Sequence, residues 1–463
     1  MYVQQIYTNC LAHAAYYIES GNEAAVIDPL RDPAPYLELA KKRGATIKYV
    51  IETHFHADFV SGHIDLAEKA GASIVFGPNA TPAYKAYIAE DMEMLHIGKA
   101  ALQILHTPGH TIESICCLLY DEAGKMNAVF TGDTLFVGDV GRPDLMSGNL
   151  KKESLAAMLF ESLRDKIKTL PASVIVYPGH GAGSACGKNI GIQSYSTIGE
   201  QLATNYALLI KDKGSFIEAV TADLPVIPGY FFKDAGINKA GYRSFDEVLS
   251  VNLRPLSVNE FISKQHPGTV VLDTREPMHF AAGFIKGAIN VGLSGDFALW
   301  VGTLIAPDAR ILLVADPGTE RQAVERLSRI GYDSVDGYLD GGMPTWSATN
   351  HQIDTVMTFS GAECEYLLET EEYFLLDVRN RLEVVKNRMS GSVHIPLNEL
   401  KHKYHMLGKN KRWLVYCTGG YRSMIAASFL VSHGFSSVAT IEGGIKEVIA
   451  HAPMLVDMDT DVD

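Results

Sequence analysis

Short apolar segments alternate with amphipathic ones along the first half of the chain. Ala14–Ile18, Ala24–Asp28 and Ser114–Tyr120 are apolar runs of strand length. Lys151–Lys168 instead places a leucine or isoleucine at every fourth position, which is a helical period, and Pro171 ends the pattern. Many short strands interrupted by helices predict a domain in which helices cover two stacked sheets, an αββα sandwich.

The second half of the chain contains a repeat of domain size. Val271–Arg275 reads V-L-D-T-R and returns as L-L-D-V-R at Leu375–Arg379, and Ile311–Asp316 returns as Arg412–Cys417. Each copy alternates apolar strands with helical segments such as Ser423–His433, a pattern typical of a parallel sheet with helices on its faces. We therefore expect two related α/β domains here.

The predicted fold class is therefore α/β, with the αββα sandwich followed by two parallel-sheet domains. The predicted domain boundaries are 1–250, 255–350 and 355–456, with a linker near Ser250–Pro255. The length of 463 residues agrees with this organisation, since it corresponds to about three domains of ordinary size.

Charge and cysteine content exclude several classes of protein. Asp and Glu number 54 against 40 Lys and Arg, a formal net charge of −14, so we expect no binding to nucleic acid. No apolar stretch approaches the about 20 residues that span a bilayer, and no basic residue precedes Arg31 as in a signal peptide. The cysteines are Cys10, Cys116, Cys117, Cys186, Cys364 and Cys417. They form neither a disulfide framework nor a C-x-x-C zinc pattern, so we expect a cytoplasmic protein that is not bound to membranes.

Four apolar runs each lead to a residue that can bind a metal. These residues are His54, His110, Asp133 and His180. If the runs are strands of stacked sheets, their ends gather at one edge, where loops hold metals and substrates. The first run continues as H-F-H-A-D, so that His54, His56 and Asp58 alternate and can face one side. Together these residues predict a metal centre.

The succession T-H-x-H-x-D, P-G-H-T, T-G-D and P-G-H resembles the metallo-β-lactamase superfamily over residues 1–245. Hydrolases of that superfamily, such as glyoxalase II, hold two metals and carry a second histidine directly after the aspartate, where this chain has Phe59. Its persulfide dioxygenases hold a single iron, whose ligands map onto His54, His110 and Asp133. Two imidazoles and a carboxylate suit Fe(II), because they leave coordination positions open. The resemblance thus implies one Fe(II) per chain.

Further residues of the first domain are expected to support that ion. His56, Asp58 and His180 would orient the ligands or bound water. Arg142 lies in a G-R-x-D stretch that the persulfide dioxygenases share, and it would bind the acidic part of a thiol cofactor. Cys186 follows His180 in a loop of small residues, so we predict that it lies near the metal and holds sulfane sulfur.

A second candidate site begins at Cys417. The segment C-T-G-G-Y-R follows a predicted strand and opens a predicted helix, so backbone N–H groups, the helix N-terminus and Arg422 should favour the thiolate. With the preceding L-D-V-R and the later E-G-G, the loop resembles the rhodanese family of sulfurtransferases, which implies that Cys417 and Arg422 are catalytic. Substrate contacts are expected from Thr418, Gly419, Gly420 and Tyr421. The first copy of the repeat aligns Asp316 with Cys417, and we expect that copy to be inactive because a carboxylate cannot carry a persulfide.

The order of domains resembles bacterial persulfide dioxygenase–rhodanese fusions of sulfide detoxification. That resemblance implies oxidation of a small thiol persulfide, of glutathione, coenzyme A or a similar thiol, by O2 to sulfite. It also implies sulfur transfer that forms or uses thiosulfate, and a homo-oligomer. Three alternatives remain: a dizinc thioester hydrolase of glyoxalase II type joined to a sulfurtransferase, a sulfur carrier with a vestigial metal site, and a persulfide sensor.

Overall fold

The computed structural model describes residues 1–145, 150–224, 226–370 and 372–458. The chain forms two compact units. One comprises Met1–Val248 with Leu327–Gly331, and the other comprises Leu249–Arg326 and the chain from Tyr332 onward. Among the residues described, no helix is both long enough and apolar enough to cross a bilayer.

The first unit is built on two six-stranded sheets. Its strands are β1 Tyr2–Thr8, β2 His13–Ser20, β3 Glu23–Ile27, β4 Thr46–Ile51, β5 Ser73–Phe76, β6 Tyr87–Ile88, β7 Met94–Ile97, β8 Ala100–His106, β9 Ile115–Tyr120, β10 Met126–Gly132, β11 Ile175–Pro178 and β12 Ser196–Thr197. Its helices are α1 Ala34–Arg43, α2 His63–Ala70, α3 Lys152–Ser162, α4 Ile198–Thr204, α5 Tyr206–Leu209, α6 Lys213–Thr221, α7 Phe231–Ala240 and α8 Phe245–Asn252. The sheets run in the orders β1-β2-β3-β4-β5-β6 and β12-β11-β10-β9-β8-β7.

The apolar faces of the two sheets meet in one buried core. It contains Tyr16 of β2, Leu102 of β8 and Phe130 of β10, among others. On the outer faces, α1 and α2 cover the first sheet, and α3 and α6 cover the second. The αββα sandwich is therefore confirmed. The helix predicted over Lys151–Lys168 is also present. It consists of α3 and of a π-helical segment over Leu163–Ile167 that continues α3.

The second unit contains the two copies of the repeat. Its strands are β13 Pro255–Leu256, β14 Thr269–Asp273, β15 Phe284–Ile285, β16 Ile289–Asn290, β17 Arg310–Val314, β18 Val335–Leu339, β19 Ile353–Asp354, β20 Met357–Phe359, β21 Phe374–Asp377, β22 Asn387–Met389, β23 Val393–His394, β24 Arg412–Tyr416, β25 Ser437–Ile441 and β26 Val456–Met458. Its helices are α9 Val258–Ser263, α10 Pro277–Ala282, α11 Phe297–Leu304, α12 Glu320–Arg329, α13 Gly342–Ser347, α14 Cys364–Thr370, α15 Arg381–Lys386, α16 Leu397–Lys403, α17 Tyr421–Ser432 and α18 Ile445–His451.

Each copy folds around its own five-stranded parallel sheet. The strand orders are equivalent, β13-β18-β17-β14-β16 in the first copy and β20-β25-β24-β21-β23 in the second, and every pairing in them is parallel. The two parallel-sheet domains are therefore confirmed.

The stretch expected as a linker, Ser250–Pro255, lies partly in regular secondary structure, and the division between the two compact units falls just before it, between Val248 and Leu249. Ser250 lies within α8, and Pro255 begins β13, which pairs with β18. A polar composition is compatible with the end of a helix as well as with a flexible connection, and the sequence pattern did not distinguish them. The boundaries 1–250, 255–350 and 355–456 stay predictions.

Candidate functional site

Three of the predicted metal ligands converge at one end of the sandwich. Asp133 directly follows β10, while His54 and His110 lie a few residues beyond β4 and β8. Asp133 Oδ2 is 4.0 Å from His54 Nε2 and 3.5 Å from His110 Nε2, and the three ligand atoms all lie within 4.8 Å of one another. All three residues are buried. The edge of the sheets thus gathers the side chains that the sequence pattern placed there.

The outer nitrogens of both histidines are held by fixed partners. His110 Nδ1 is 2.8 Å from the backbone oxygen of Arg142, which can only accept a hydrogen bond. His54 Nδ1 is 3.0 Å from Thr53 Oγ1, whose own proton goes to Asp28 Oδ2 at 2.8 Å. Both Nδ1 atoms therefore donate, which leaves the lone pair of each Nε2 facing Asp133.

The carboxylate of Asp133 is oriented in a similar way. Its Oδ1 lies 2.8 Å from His180 Nδ1, while its Oδ2 is buried and has no hydrogen-bond partner among the described residues. Burial alone raises the pKa of Asp133, but the neighbouring His180 outweighs burial and holds this pKa well below its usual range. Burial and the neighbouring His56 lower the pKa of His54, so this imidazole is neutral. One carboxylate and two imidazole nitrogens that converge on one point fit a divalent metal ion.

A glycine allows the chain to close around this group. A side chain on Gly141 would place its Cβ 1.8 Å from the backbone oxygen of Asp133 and 3.0 Å from His110 Nδ1. Gly141 therefore lets the G-R-x-D segment approach both residues closely enough for its next residue to accept the His110 hydrogen bond.

His180 lies between two carboxylates. Its Nδ1 faces Asp133 Oδ1 and its Nε2 faces Asp58 Oδ2, each at 2.8 Å. Although burial lowers the pKa of His180, these two carboxylates raise it well above its usual value. The ring is therefore an imidazolium that donates to both and has no free lone pair for a metal.

His56 also directs its ring away from the three converging donors. Its Nε2 lies 3.1 Å from Asp28 Oδ1 and 3.6 Å from Glu52 Oε2. Burial lowers its pKa, but Asp28 and Glu52 outweigh burial and raise it to about 9. His56 thus belongs to a separate buried group with Asp28 and Glu52.

Phe59 occupies a fully buried position beside these histidines. Its ring centroid lies 4.4 Å from that of His56 and 4.2 Å from that of His13. The two-metal hydrolases carry a histidine at this position. Here the position holds a phenylalanine, whose ring packs against the neighbouring rings and offers no ligand atom for a metal.

Cys186 lies beside Asp58 and His180, two of the residues expected to support the metal. Its Sγ and the ligand atoms of Asp58 and His180 lie within 4.8 Å of one another, and all three residues are buried. Burial, and then the charges of Asp58 and Asp133, raise the pKa of Cys186 well above its usual value. Cys186 is therefore a neutral thiol, and its role in holding sulfur stays a prediction.

Arg142 is buried rather than displayed on the surface. Its guanidinium donates to both carboxylate oxygens of Asp144 at 2.7 and 2.8 Å and to the backbone oxygen of Ala185 at 3.1 Å. Sequence reasoning missed this internal pairing and the bond from His110 to the Arg142 carbonyl. The segment G-R-x-D contains both partners of the pair, so it could have been read as an ion pair. Binding of an acidic thiol by Arg142 stays a prediction.

Cys417 lies at the end of β24, within a turn that leads into α17. Its buried Sγ accepts a hydrogen bond from the backbone N–H of Gly420 at 3.2 Å and lies 3.6 Å from Ser423 Oγ. Gly444 packs behind the turn, because a Cβ there would lie 2.3 Å from the backbone oxygen of Cys417. One backbone N–H of the predicted cradle, that of Gly420, thus reaches the sulfur, and the rest of the cradle stays a prediction.

The other loop residues make distinct contacts. Gly419, Gly420 and Tyr421 line a cavity of about 350 Å³. The Tyr421 hydroxyl donates to the backbone oxygen of Gly292 in the first copy of the repeat, at 2.8 Å. Thr418 faces the other way and donates to Glu383. Substrate contacts by these four residues stay predictions.

Arg422 is paired with a residue that the sequence reasoning did not identify. Its Nη1 and Nη2 lie 2.7 and 2.6 Å from the two carboxylate oxygens of Glu383. Burial raises the pKa of Glu383, but Arg422 and Thr418 outweigh burial and hold it at about 2. The signal in the sequence was the N-x-x-E pattern of Asn380 and Glu383, which is typical of a helix start and gave no indication of the contact with the loop.

The register of the sheets corrects the alignment of the two copies by one residue. Val314 and Tyr416 occupy equivalent places, since each pairs with the aspartate that ends the neighbouring strand. The next residue is Ala315 in the first copy and Cys417 in the second. The alignment of Asp316 with Cys417 is therefore wrong. A methyl group is no nucleophile, so the expectation that the first copy is inactive now depends on Ala315.

Comparison with known proteins gives two family matches. A model of the metallo-beta-lactamase superfamily matches residues 8–180, and a model of the rhodanese-like domain matches residues 257–349 and 360–451. A metallo-beta-lactamase of Staphylococcus aureus is 33% identical to the chain, with a TM-score of 0.65, and the match covers 73% of this chain and 98% of that one.

Two kinds of relative match about a third of the chain at similar identity. The hydroxyacylglutathione hydrolase of Pelagibacter ubique is 34% identical over 161 residues, and the mitochondrial persulfide dioxygenase ETHE1 of Homo sapiens is 31% identical over 159 residues. Each match covers 34% of this chain, and the chain spans 62% and 59% of the length of these relatives. With the sandwich, the repeated parallel sheets and these matches together, the chain belongs to the metallo-beta-lactamase superfamily and carries two rhodanese-like domains after its metallo-beta-lactamase domain.

Proposed function

We propose that the protein oxidises small thiol persulfides with O2 to sulfite at a single Fe(II), and transfers sulfane sulfur at Cys417. The observation that supports this most directly is the convergence of two imidazoles and one carboxylate on one point. His54, His110 and Asp133 converge, and Asp133 Oδ2 has no hydrogen-bond partner among the described residues. Asp58 and His180 instead bind each other, and His56 faces Asp28 and Glu52. Family membership alone does not distinguish the two activities, because the chain matches hydrolases and a dioxygenase at similar identity.

The donor set favours one metal over two. A second ion would need Asp58, the residue at position 59 and His180. Asp58 and His180 are bound to each other, and position 59 is a buried phenylalanine. Two imidazoles and one carboxylate are the ligand set of non-haem Fe(II) oxygenases. When bound, Fe(II) supplies the redox chemistry that O2 needs to oxidise a persulfide sulfur.

The protein's own residues would then fix the donors and their protons. Thr53 and the Arg142 carbonyl keep each ligand imidazole in the tautomer that presents Nε2. His180 holds Asp133 Oδ1, so that only Oδ2 is available to the ion, and Asp58 keeps His180 protonated. All of these groups are buried.

At the second site, the Cys417 thiolate would attack the sulfane sulfur of a persulfide. The bond between the two sulfurs of the donor breaks, a Cys417 persulfide forms, and the thiol leaves as its thiolate. The Gly420 N–H is placed to stabilise negative charge on the Cys417 sulfur. Transfer of this sulfur to sulfite gives thiosulfate, and the reverse reaction uses thiosulfate.

The test is purification without oxygen, followed by metal analysis and activity assays. We expect about one Fe per chain, O2 uptake with glutathione or coenzyme A persulfide, and formation of sulfite and thiosulfate. About two Zn per chain with hydrolysis of a hydroxyacylglutathione would support the hydrolase instead. Absence of O2 uptake with every persulfide would favour a sulfur carrier, and modification of Cys417 without turnover would favour a sensor.

Two further proposals accompany this function. If Cys186 carries sulfur, Cys186→Ser should change the ratio of sulfite to thiosulfate, and an unchanged ratio would remove Cys186 from the reaction. The homo-oligomer is tested by measuring the mass of the purified protein in solution by light scattering.

A further inference from the structure

The loop that holds Cys417 is closed by a carboxylate from another helix. Glu383 of α15 binds both terminal nitrogens of Arg422 and accepts a hydrogen bond from the Thr418 hydroxyl. The side chains of Glu383 and Arg422 keep only 27% and 20% of their exposure. Glu383 is thus the partner of two of the six residues in the loop.

This contact changes the charge that the loop offers to a substrate. A guanidinium beside a cysteine turn normally binds an oxyanion through two parallel hydrogen bonds. Here those two bonds are made to Glu383, so the positive charge of Arg422 is balanced inside the protein. An incoming anion meets the backbone N–H groups of the turn and a nearby carboxylate.

The fold itself does not require a carboxylate at this position. Arg379 and Arg275 make the same ion pair, each with the aspartate two residues earlier at 2.6 Å, so the two copies align at these residues. Four residues further on, the first copy has His279 where the second has Glu383. His279 lies 3.6 Å from the carboxylate of Asp316. The helix forms with either residue, and the carboxylate occurs in the copy that contains the cysteine.

We propose that Glu383 determines which sulfur donor the loop accepts, favouring thiol persulfides over thiosulfate. This inference rests on the proposed sulfur transfer at Cys417. A protonated persulfide, R–S–SH, reacts with the thiolate to give Cys417–S–SH and R–S⁻, and the S–SH group that enters the loop is neutral. Thiosulfate reacts to give Cys417–S–S⁻ and sulfite, and it brings two negative charges next to Glu383. Repulsion from Glu383 therefore raises the barrier more for thiosulfate than for the persulfide.

The variant Glu383→Gln removes the negative charge of the carboxylate and keeps the capping box at the start of α15. Glu383 also closes a capping box with Asn380, and glutamine serves equally well at that position of the box. Glu260→Gln is the matched control, because Glu260 closes the same kind of box with Ser257 at the start of α9 in the first copy. Glu383→Asp keeps the charge and provides a conservative variant.

The experiment measures the rate at which Cys417 gains a sulfur atom, by mass spectrometry of the peptide that contains it. The full chain is treated without oxygen, once with glutathione persulfide and once with thiosulfate. We expect Glu383→Gln to shift the ratio of the two rates toward thiosulfate by about tenfold, a modest electrostatic effect for a partly exposed pair. Glu383→Asp should keep the preference of the unmodified protein largely intact, and Glu260→Gln should leave it unchanged.

Two results would overturn the inference, and they differ from each other. If Cys417 is loaded but Glu383→Gln leaves the ratio of rates unchanged, or lowers both rates equally, Glu383 has only a structural role. If neither donor loads Cys417 in the unmodified protein, the proposed sulfur transfer itself is wrong, and the preference assigned to Glu383 is lost with it.

Discussion

Replacement of Asp133 by asparagine tests the single three-donor set most directly. The amide oxygen must face His180 Nδ1, since that nitrogen donates to Oδ1 at 2.8 Å in the unmodified protein. The amide NH2 then faces the lone pairs of His54 Nε2 and His110 Nε2, which lie 4.0 and 3.5 Å from Oδ2. The variant therefore loses an anionic ligand and places N–H groups where the ion would bind.

The size of the effect follows from the number of donors lost. Removing a residue that only supports a ligand costs about 10- to 100-fold in metal affinity. Loss of one of three ligands should therefore weaken binding by more than about 100-fold, or about 2.8 kcal/mol. The assay is a competition titration of Fe(II) against a chelator, performed without oxygen on the full chain.

Asp58→Asn is the informative comparison. Its amide oxygen can still accept from His180 Nε2, and none of the three converging ligands changes. We expect it to retain about one metal ion per chain, with an affinity loss of about tenfold at most. Metal affinity that survives Asp133→Asn, or an equal loss in both variants, would refute the assignment of the ligands.

Three further predictions concern other parts of the molecule. Cys417→Ser should abolish sulfur transfer to sulfite while O2 uptake with glutathione persulfide continues, which separate assays of thiosulfate and oxygen would show. Gly141→Ala should lower the free energy of unfolding by about 1–3 kcal/mol, because its Cβ would overlap the Asp133 backbone oxygen, and urea denaturation measures this. The pairing of Glu383 with Arg422 lowers the pKa of Glu383 from 4.5 to about 2, so its stabilising effect is complete above pH 4.5 and is lost as the pH falls toward 2. The difference in stability between the unmodified protein and Glu383→Gln should shrink over that range, and a difference that stays constant there would contradict the pairing.

The sequence was sufficient for the fold and for the place where ligands gather. Apolar runs of strand length and a repeated D-x-R segment are local signals, and strand ends meet at one edge of a sheet by geometry. His54, His110 and Asp133 therefore came together as expected. The alternation of His54, His56 and Asp58 was a weaker guide, because His56 turned toward Asp28, whose position depends on the neighbouring strand.

Contacts between distant segments were beyond the sequence pattern. Glu383 lies 39 residues before Arg422, and nothing in the spacing indicates that the two side chains meet. The loop alignment of the two copies differed by one residue because only hydrogen-bonded strand register determines which residue follows the strand.

The three converging donors come from different layers of the sandwich. His54 follows β4 of the first sheet, whereas His110 and Asp133 follow β8 and β10 of the second. An ion held by all three would cross-link the two sheets. It would stabilise the folded chain, because it binds the folded state and not the unfolded one. The concentration of that ion in a cell would then determine the rate at which the protein is degraded by proteases, as well as its catalytic activity.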